Sequence, residues 1–132
     1  MMSTQKSFLI NGSNGGLGVE LTKRILADGN KVVGLGRSDP EEINVTRHPN
    51  FSFYKLSSYS TEAFTGCFEI SNFNKTKITH LILNGGTSLG MREVFENEKL
   101  RNCFEANFFN HVELLSLAVR ELPSLELSLI HI

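Results

Sequence analysis

A glycine-rich segment near the beginning of the sequence has the residue types and spacing of a phosphate-binding loop. In "SFLINGSNGGLGVELTKRIL" the glycines follow an apolar run typical of a strand and precede an apolar periodicity typical of a helix. Gly12 allows a tight turn, and Gly15 or Gly16 allows the backbone to approach a pyrophosphate closely. Gly18 allows the helix to pack closely on the strand, and the N–H groups of the first helical turn then face the phosphates. The segment therefore predicts a strand–loop–helix unit that binds a phosphate-containing ligand.

Strand and helix signals alternate along the rest of the chain. Apolar runs predict strands at Ser7–Ile10, Lys31–Gly36, Phe51–Leu56 and Ile78–Leu83, and "ELSLIHI" at the end is a candidate fifth strand. Apolar stripes predict three helices. The stripe of the first helix consists of Leu17, Leu21, Ile25 and Leu26, and that of the second consists of Ala63, Phe64, Cys67, Phe68 and Ile70. The stripe of the longest helix consists of Leu100, Cys103, Phe104, Phe108, Val112, Leu115, Val119 and Leu122. Strands that are apolar on both faces and joined by helices predict an α/β fold, a doubly wound parallel sheet between two layers of helices.

Composition and charge exclude several classes of partner. The 132 residues are 40% hydrophobic and 20% charged, with a formal net charge of -1, so no basic field would attract nucleic acid or an anionic membrane.

The apolar run near the N-terminus is too short for a signal peptide or a membrane span, and we expect a cytoplasmic protein. Cys67 and Cys103 form neither a CxxC pair nor a dense cysteine framework, and we expect both to be reduced thiols.

Two further kinds of site do not match the sequence. A nucleoside-triphosphate P-loop requires Lys followed by Ser or Thr where Val19 and Glu20 stand. The four histidines lack metal-ligand spacing and have no cysteine or carboxylate cluster beside them, so we expect no metal site. A row of phenylalanines, Phe104, Phe108 and Phe109, is interpreted as core or subunit contact rather than a surface for stacking nucleic-acid bases.

Three ordered motifs together resemble the short-chain dehydrogenase/reductase family. "NGSNGGLG" resembles its TGxxxGxG fingerprint, with Asn11 where Thr is usual, although Gly12, Gly15 and Gly18 also fit the GxxGxxG of the extended, epimerase-like branch. "LILNGGTSLG" resembles the NNAG segment of the compact, single-domain branch, and "FEANFFNHVELLSLAVRELP" resembles that branch's long helix. The two later motifs favour the compact branch.

The resemblance implies a Rossmann-like fold, a nicotinamide cofactor and hydride transfer between that cofactor and a carbonyl or alcohol carbon. It implies cofactor contacts from Gly12, Ser13, Asn14, Gly15, Gly16, Leu17, Gly18, Arg37, Ser38, Ser57, Asn84, Gly85 and Gly86. Asn107 falls on the active-site Asn of the long helix, which in the family supports a kink and a water of the proton relay. The family's partner residues, a Ser and a YxxxK pair, do not occur here, because neither Tyr54 nor Tyr59 has Lys four residues later. The complete protein would act on a small-molecule substrate as a homodimer or homotetramer, and the chain as given would be inactive.

The residues after the second strand favour NADP(H) over NAD(H). Gly36 stands where an NAD-preferring enzyme usually has an acidic residue for the ribose hydroxyls, and Arg37 can donate two hydrogen bonds to a 2′-phosphate. Ser38 adds a hydroxyl, whereas Asp39 is a competing candidate for the ribose. At the end of the third strand, Ser57 stands where the family often has Asp near the adenine.

The last residues and the function class each leave alternatives open. Residues 1–126 are interpreted as the N-terminal part of a Rossmann domain, truncated after strand 4 or 5. Residues 127–132 are either the start of that fifth strand or a non-native tail, because CTG TCT CTT ATA CAC ATC, the end of a transposon adapter used for sequencing libraries, encodes the same residues. An isolated fragment of this kind should fold poorly or associate, since strand edges and apolar helix faces stay uncovered. Alternatives to an oxidoreductase are a non-catalytic NAD(P)-binding sensor and a methyltransferase with a similar glycine-rich turn.

Overall fold

The chain forms a five-stranded parallel β-sheet flanked by helices. The computed structural model describes residues 5–41, 43–58, 60–70, 73–85, 96–126 and 129–131. The strands are β1 (Ser7–Asn11), β2 (Lys31–Gly36), β3 (Phe51–Lys55), β4 (His80–Leu83) and β5 (Leu129–His131). They lie in the order β3-β2-β1-β4-β5, every neighbouring pair being parallel. This order is that of a Rossmann-like doubly wound sheet, and the predicted fold class is confirmed.

Helices cover both faces of the sheet and enclose two apolar cores. The helices are α1 (Gly16–Ala27), α2 (Ile43–Thr46), α3 (Thr61–Phe68), α4 (Asn97–Phe104) and α5 (Asn110–Glu121), with a short 3-10 turn at Lys75–Lys77. On one face, α1 and α2 pack on a core of Ile10, Leu26, Val32, Val45 and Ile82. On the other face, α3 and α5 pack on a larger core of Leu9, Leu35, Leu56, Phe64, Cys67, Phe68, Phe73, Ile78, Leu81, Leu83, Leu114, Leu117, Ala118 and Leu122. The strands β1, β2 and β4 are therefore buried on both sides, which explains their nearly continuous apolar sequences, whereas β3 at the edge of the sheet is only half-buried.

Local signals define the ends of the first two long helices. After α1 the chain turns at Gly29, whose φ of 85° is in the left-handed region that favours glycine. The helix α3 is capped by the Ser60 side chain, which accepts a hydrogen bond from the Ala63 N–H at 3.2 Å. Two residues assigned to the apolar stripes prove exposed: Leu17 in the first turn of α1 and Ile70 beyond the end of α3. The apolar periodicity therefore identified these two helices, but it overestimated burial at the start of α1 and just after the end of α3.

The longest helical stretch runs without a break from Asn97 to Glu121, but it contains a π-helical turn at Glu105–Phe109 between α4 and α5. A π turn inserts an extra residue, which rotates the following helix by about 100° relative to an uninterrupted α-helix. The buried residues of α5 are Asn110, His111, Leu114, Leu117 and Ala118. The predicted stripe is therefore wrong at Phe104, Phe108, Val112 and Val119, which are exposed, whereas its last residue, Leu122, is buried in the core. The core interpretation of Phe104, Phe108 and Phe109 is also wrong, because all three side chains are exposed.

Candidate functional site

The loop after β1 is built around contacts that exclude side chains. Gly12 has a φ of 85°, and a Cβ atom there would lie only 2.4 Å from the Gly85 nitrogen. A Cβ atom on Gly18 would lie 2.1 Å from the Gly12 carbonyl oxygen, so α1 packs directly on the loop. The Gly12 N–H donates to the Leu35 carbonyl at 2.9 Å and fixes the turn to β2. The steric roles predicted for these two glycines agree with these contacts.

The residues after β4 close this loop from the other side. The Asn84 side chain donates a hydrogen bond from Nδ2 to the Gly12 carbonyl at 2.9 Å, and its backbone N–H donates to the Asn11 carbonyl at 2.9 Å. Gly85 is buried against the Asn11 side chain, where a Cβ atom would lie 3.1 Å from Nδ2. The first and second motifs of the sequence therefore meet at the carboxyl edge of the sheet. Gly86 lies outside the described residues.

A third segment, after β2, joins the same edge. The Asn14 side chain donates to the Ser38 carbonyl, which ties the glycine-rich loop to the loop that carries Arg37. Gly36 leaves room for Asn14, because a Cβ atom on Gly36 would lie 3.2 Å from Asn14 Nδ2. The motif predicts Asn14 only as a cofactor contact, and its spacing carries no signal for this bridging role.

These three segments line one cleft. It has a volume of about 280 Å³ and is lined by Gly12, Asn14, Gly15, Gly36, Arg37, Ser38, Asn84 and Gly85. A neighbouring hollow of about 450 Å³ shares Asn14 and Ser38 with the cleft and is otherwise lined by Ser13, Val19, Asp39, Pro40, Glu41 and Val45. Residues from three separate parts of the sequence therefore surround the cleft, and two of them also line the neighbouring hollow.

Some predicted contacts do not line these spaces. Gly16 and the exposed Leu17 lie in the first turn of α1, and Gly18 packs against Gly12 instead of the cleft. Ser57 is exposed just beyond β3 and is absent from the lining of both spaces. For Leu17 the reason is geometric, since its side chain projects outward from the helix start.

The open side of the site suits a phosphate-containing ligand. The first turn of α1 has no acidic residue, and its N-cap, Gly15, makes no side-chain capping bond. The positive end of the helix dipole therefore carries no competing carboxylate. Ser13 also lines the neighbouring hollow, but its hydroxyl is buried against Gly34 and has no hydrogen-bond partner among the described residues.

One ion pair at the rim was not foreseen. Lys55, the last residue of β3, places Nζ 3.5 Å from Oδ2 of Asp39. The alternating pattern of β3 placed Lys55 in a strand but could not indicate which loop its ammonium group contacts.

Asn107 lies at the middle of the π-helical turn. Its side chain is half-buried and donates a hydrogen bond from Nδ2 to Cys103 Sγ at 3.1 Å. Cys103 and Cys67 are not joined by a disulfide bond. The helix is thus irregular at the residue for which the resemblance implies a kink, although the role in proton relay stays a prediction.

Tyr54 has the environment of a core residue. Its half-buried ring packs edge-on against Phe73, with ring centroids 5.2 Å apart. Burial, followed by the charge of Cys67, raises the pKa of Tyr54 above its ordinary value of 10.0. This shift is opposite to the lowered pKa that a Tyr proton donor of the family requires. Tyr59 lies outside the described residues.

Neither a metal cluster nor a membrane-spanning helix occurs among the described residues. The part of the chain that the structure describes contains no cluster of three or more His, Cys, Asp or Glu side chains able to hold a metal ion. No helix within the described ranges is both long and apolar enough to cross a membrane.

Comparison with solved structures identifies the fold. The chain is similar to a short-chain dehydrogenase of Burkholderia cenocepacia in complex with NADP (TM-score 0.78, 22% identity, 96% of this chain and 52% of that one). It is also similar to a short-chain dehydrogenase of Leptospira borgpetersenii with bound NAD+ (TM-score 0.75, 22% identity, 88% and 45%). A third similar structure is the aldohexose dehydrogenase of Thermoplasma acidophilum (TM-score 0.73, 20% identity, 89% and 44%).

These likenesses confirm the predicted resemblance at the level of the fold. The chain has the fold of short-chain dehydrogenases and spans about half the length of these structures. No family model matches the sequence, and no curated protein sequence matches it either.

Proposed function

We propose that the chain is the nucleotide-binding part of an NADP(H)-dependent oxidoreductase of the compact short-chain dehydrogenase/reductase type. The observation that carries this proposal is the cleft lined by Gly12, Arg37 and Asn84, because each comes from a different segment for which a cofactor contact is predicted. The parallel sheet brings these segments to one edge, where open α/β sheets bind dinucleotides, and the glycines and the guanidinium group there suit phosphate groups. The shared fold with dehydrogenases that bind NADP or NAD+ supports the same class.

Each part of the cleft has a distinct binding role in this proposal. The loop from Gly12 to Gly15 and the start of α1 hold the pyrophosphate through backbone N–H groups. Arg37 and Ser38 bind the 2′-phosphate, since a guanidinium group forms paired hydrogen bonds with phosphate oxygens. Asn84 holds the loop in shape through Gly12 and so keeps the cleft open. When bound, the nicotinamide cofactor supplies the hydride for a carbonyl or accepts it from an alcohol.

The chemical step requires groups beyond this cleft. Asn107 is the one residue of this sequence that matches the family's catalytic tetrad, and we assign it to orienting a water of the proton relay. The chain of 132 residues should therefore bind nucleotide without catalysing turnover. The whole protein would act in the cytoplasm on a small carbonyl or alcohol.

Titration of the 132-residue chain with NADPH and NADH tests the binding proposal. We expect NADPH to bind at least tenfold more tightly than NADH, since Arg37 pairs with a phosphate that NADH lacks. S-adenosylmethionine serves as the control for a methyltransferase. Binding of S-adenosylmethionine together with failure to bind either nicotinamide nucleotide would overturn the proposal.

A homo-oligomer is the proposed assembly of the whole protein. The exposed rings of Phe104, Phe108 and Phe109 support it, because an apolar patch of this kind is a liability in a monomer. Sedimentation of the wild-type chain beside a Phe104→Ser, Phe108→Ser double variant is the test. We expect self-association that the double variant weakens, and a monodisperse wild-type monomer with a cooperative thermal transition would contradict it.

A non-catalytic NAD(P)-binding sensor is the second candidate function. It is favoured by one observation, that neither tyrosine of the sequence is followed by Lys four residues later. The gene sequence beyond codon 132 separates the two candidates. An in-frame Ser and YxxxK would support the oxidoreductase, whereas a stop codon followed by unrelated DNA would support the sensor.

The assignment of residues 1–126 to the nucleotide-binding domain is part of the same proposal. For residues 127–132, β5 and an adapter-derived tail remain the two interpretations. Sequencing the locus from unfragmented DNA decides between them: genomic codons for these residues would support the strand, and their absence would support the tail.

A further inference from the structure

The loop after β2 carries charges of both signs beside the cleft. Arg37 and Ser38 line the cleft, and Ser38, Asp39 and Glu41 line the neighbouring hollow. The carboxylate of Asp39 would repel a dianionic 2′-phosphate and would instead accept hydrogen bonds from the ribose hydroxyls of NAD(H). The loop alone therefore contains groups suited to each of the two nicotinamide nucleotides.

The neighbouring strand β3 supplies a positive charge, Lys55, that pairs with the Asp39 carboxylate. Lys55 pairs in register with Gly36, the residue directly before Arg37, and the following N–H, from Leu56, donates to the Gly36 carbonyl at 2.7 Å. This register fixes the end of β3 beside the loop. The Lys55 ammonium group reaches the Asp39 carboxylate, with 3.5 Å between Nζ and Oδ2.

We propose that Lys55 is a specificity-determining residue that favours NADP(H) by neutralising Asp39. With Lys55 in place, Asp39 is held in an ion pair and Arg37 faces the 2′-phosphate without a competing negative charge. Without Lys55, the Asp39 carboxylate adds its repulsion to the site and is available to the ribose hydroxyls of NADH. This assignment rests on the proposed function, since it concerns which nucleotide the same cleft prefers.

The test compares nucleotide affinities of Lys55→Gln with those of a matched control. Lys31→Gln removes the same charge from an exposed position at the opposite end of the sheet, because Lys31 begins β2 whereas Lys55 ends β3. Dissociation constants for NADPH and NADH are measured by fluorescence titration at low and high salt. Thermal melts of each variant verify that it is folded.

We expect Lys55→Gln to weaken NADPH binding about fivefold, the factor expected for losing one charge interaction near a surface, and to leave NADH binding equal or tighter. Asp39→Asn added to Lys55→Gln should restore NADPH binding to within about twofold of wild type, because it removes the carboxylate that Lys55 neutralised. The loss should shrink at high salt, where exposed charges are screened. Lys31→Gln should leave the ratio of the two affinities unchanged.

Two results separate this assignment from the proposed function. Wild-type binding of NADPH, with the same affinity ratio in Lys55→Gln and Lys31→Gln, would overturn the role of Lys55 alone. Failure of the wild-type chain to bind either nucleotide would overturn the proposed function and the role of Lys55 with it.

Discussion

The glycine-rich loop and the long helix differ in how completely the described residues cover their surfaces. At the loop, backbone atoms of β1, α1 and the end of β4 touch one another, and Asn84 adds a hydrogen bond to Gly12. On the long helix, α5 buries one face against α3 and the sheet, while the rings of Phe104 and Phe108 are exposed. The loop is complete within the described chain, whereas the helix presents an apolar face with no counterpart among the described residues.

This difference indicates where each kind of sequence signal is reliable. A glycine that is needed for close backbone approach has a local cause, and its partner is fixed by the neighbouring strands. An apolar helical residue can be buried by the sheet or by another molecule, and its own sequence does not distinguish these cases. The four predictions below test the contrast by substituting residues on each side of it.

The largest expected effect is a loss in the free energy of unfolding when a buried phenylalanine on α3 is replaced, compared with an exposed phenylalanine on the long helix. Phe64 on α3 is 0% exposed, whereas Phe108 is 53% exposed. Phe64→Ala should lower the free energy of unfolding by about 3–5 kcal/mol, because it removes a buried ring and leaves a cavity. Phe108→Ala should change it by less than about 1 kcal/mol. Urea unfolding at a protein concentration low enough for the chain to be monomeric measures both, and equal losses would contradict the difference in burial between the two rings.

The second prediction compares two glycines at the start of α1. Gly18→Ala should cost about 1–3 kcal/mol and abolish nucleotide binding, because its Cβ atom would overlap the Gly12 carbonyl oxygen at 2.1 Å. Gly16→Ala is the matched control, since a Cβ atom there meets nothing within 4 Å. It should stabilise the chain by about 0.5 kcal/mol through a better helix propensity. Thermal melts with NADPH titration measure both, and tolerance of Gly18→Ala would refute the close packing.

Most of the fold was accessible from the sequence because its causes are local. The strands β1, β2 and β3 follow from short apolar runs between polar turns, and their ends differ from the predicted ones by at most one residue. At Gly12 and Gly18 the turn geometry and the close packing leave few other residues possible, while their contact with a cofactor stays a prediction. Cofactor contacts are predicted from three separate segments, and the parallel sheet brings these segments to one edge.

The errors have causes that single-sequence periodicity does not contain. The stripe through Val112 and Val119 assumed one uninterrupted helix, whereas the π turn at Glu105–Phe109 changes which residues face the sheet. Leu17 does not line the cleft, and its contact with a cofactor stays a prediction that rests on its place within the motif. The ion pair of Lys55 and Asp39 depends on strand register and loop path, which no spacing in the sequence records.

The third prediction concerns the uncapped start of α1, in contrast to α3 with its Ser60 cap. Gly15 is extended, and a Cβ atom there would meet nothing closer than 3.7 Å, so Gly15→Asp fits without strain. It should stabilise the chain by about 0.5 kcal/mol by capping the helix and complementing its dipole. It should also weaken NADPH binding at least tenfold, because its carboxylate occupies the anion site. Gly15→Asn isolates the charge, and equal affinities of the two variants would contradict binding of phosphate at this helix start.

The last comparison concerns the pH dependence contributed by Cys67, a residue of α3 that is buried in the core shared with α5. Burial raises the pKa of the Cys67 thiol from 9.0 to about 12. Below pH 9 the thiol is protonated in both the folded and the unfolded chain, so its full contribution to stability is present. Above pH 9 the unfolded chain loses this proton first, and the contribution falls as the pH rises towards 12. Urea unfolding between pH 8 and about pH 10.5 should therefore show a steeper loss of stability for wild type than for Cys67→Ala. The cavity left by alanine lowers the free energy of unfolding by the same amount at every pH, so it does not change how that free energy depends on pH. Equal slopes of the free energy of unfolding against pH for wild type and Cys67→Ala would mean that α3 does not bury this thiol against α5.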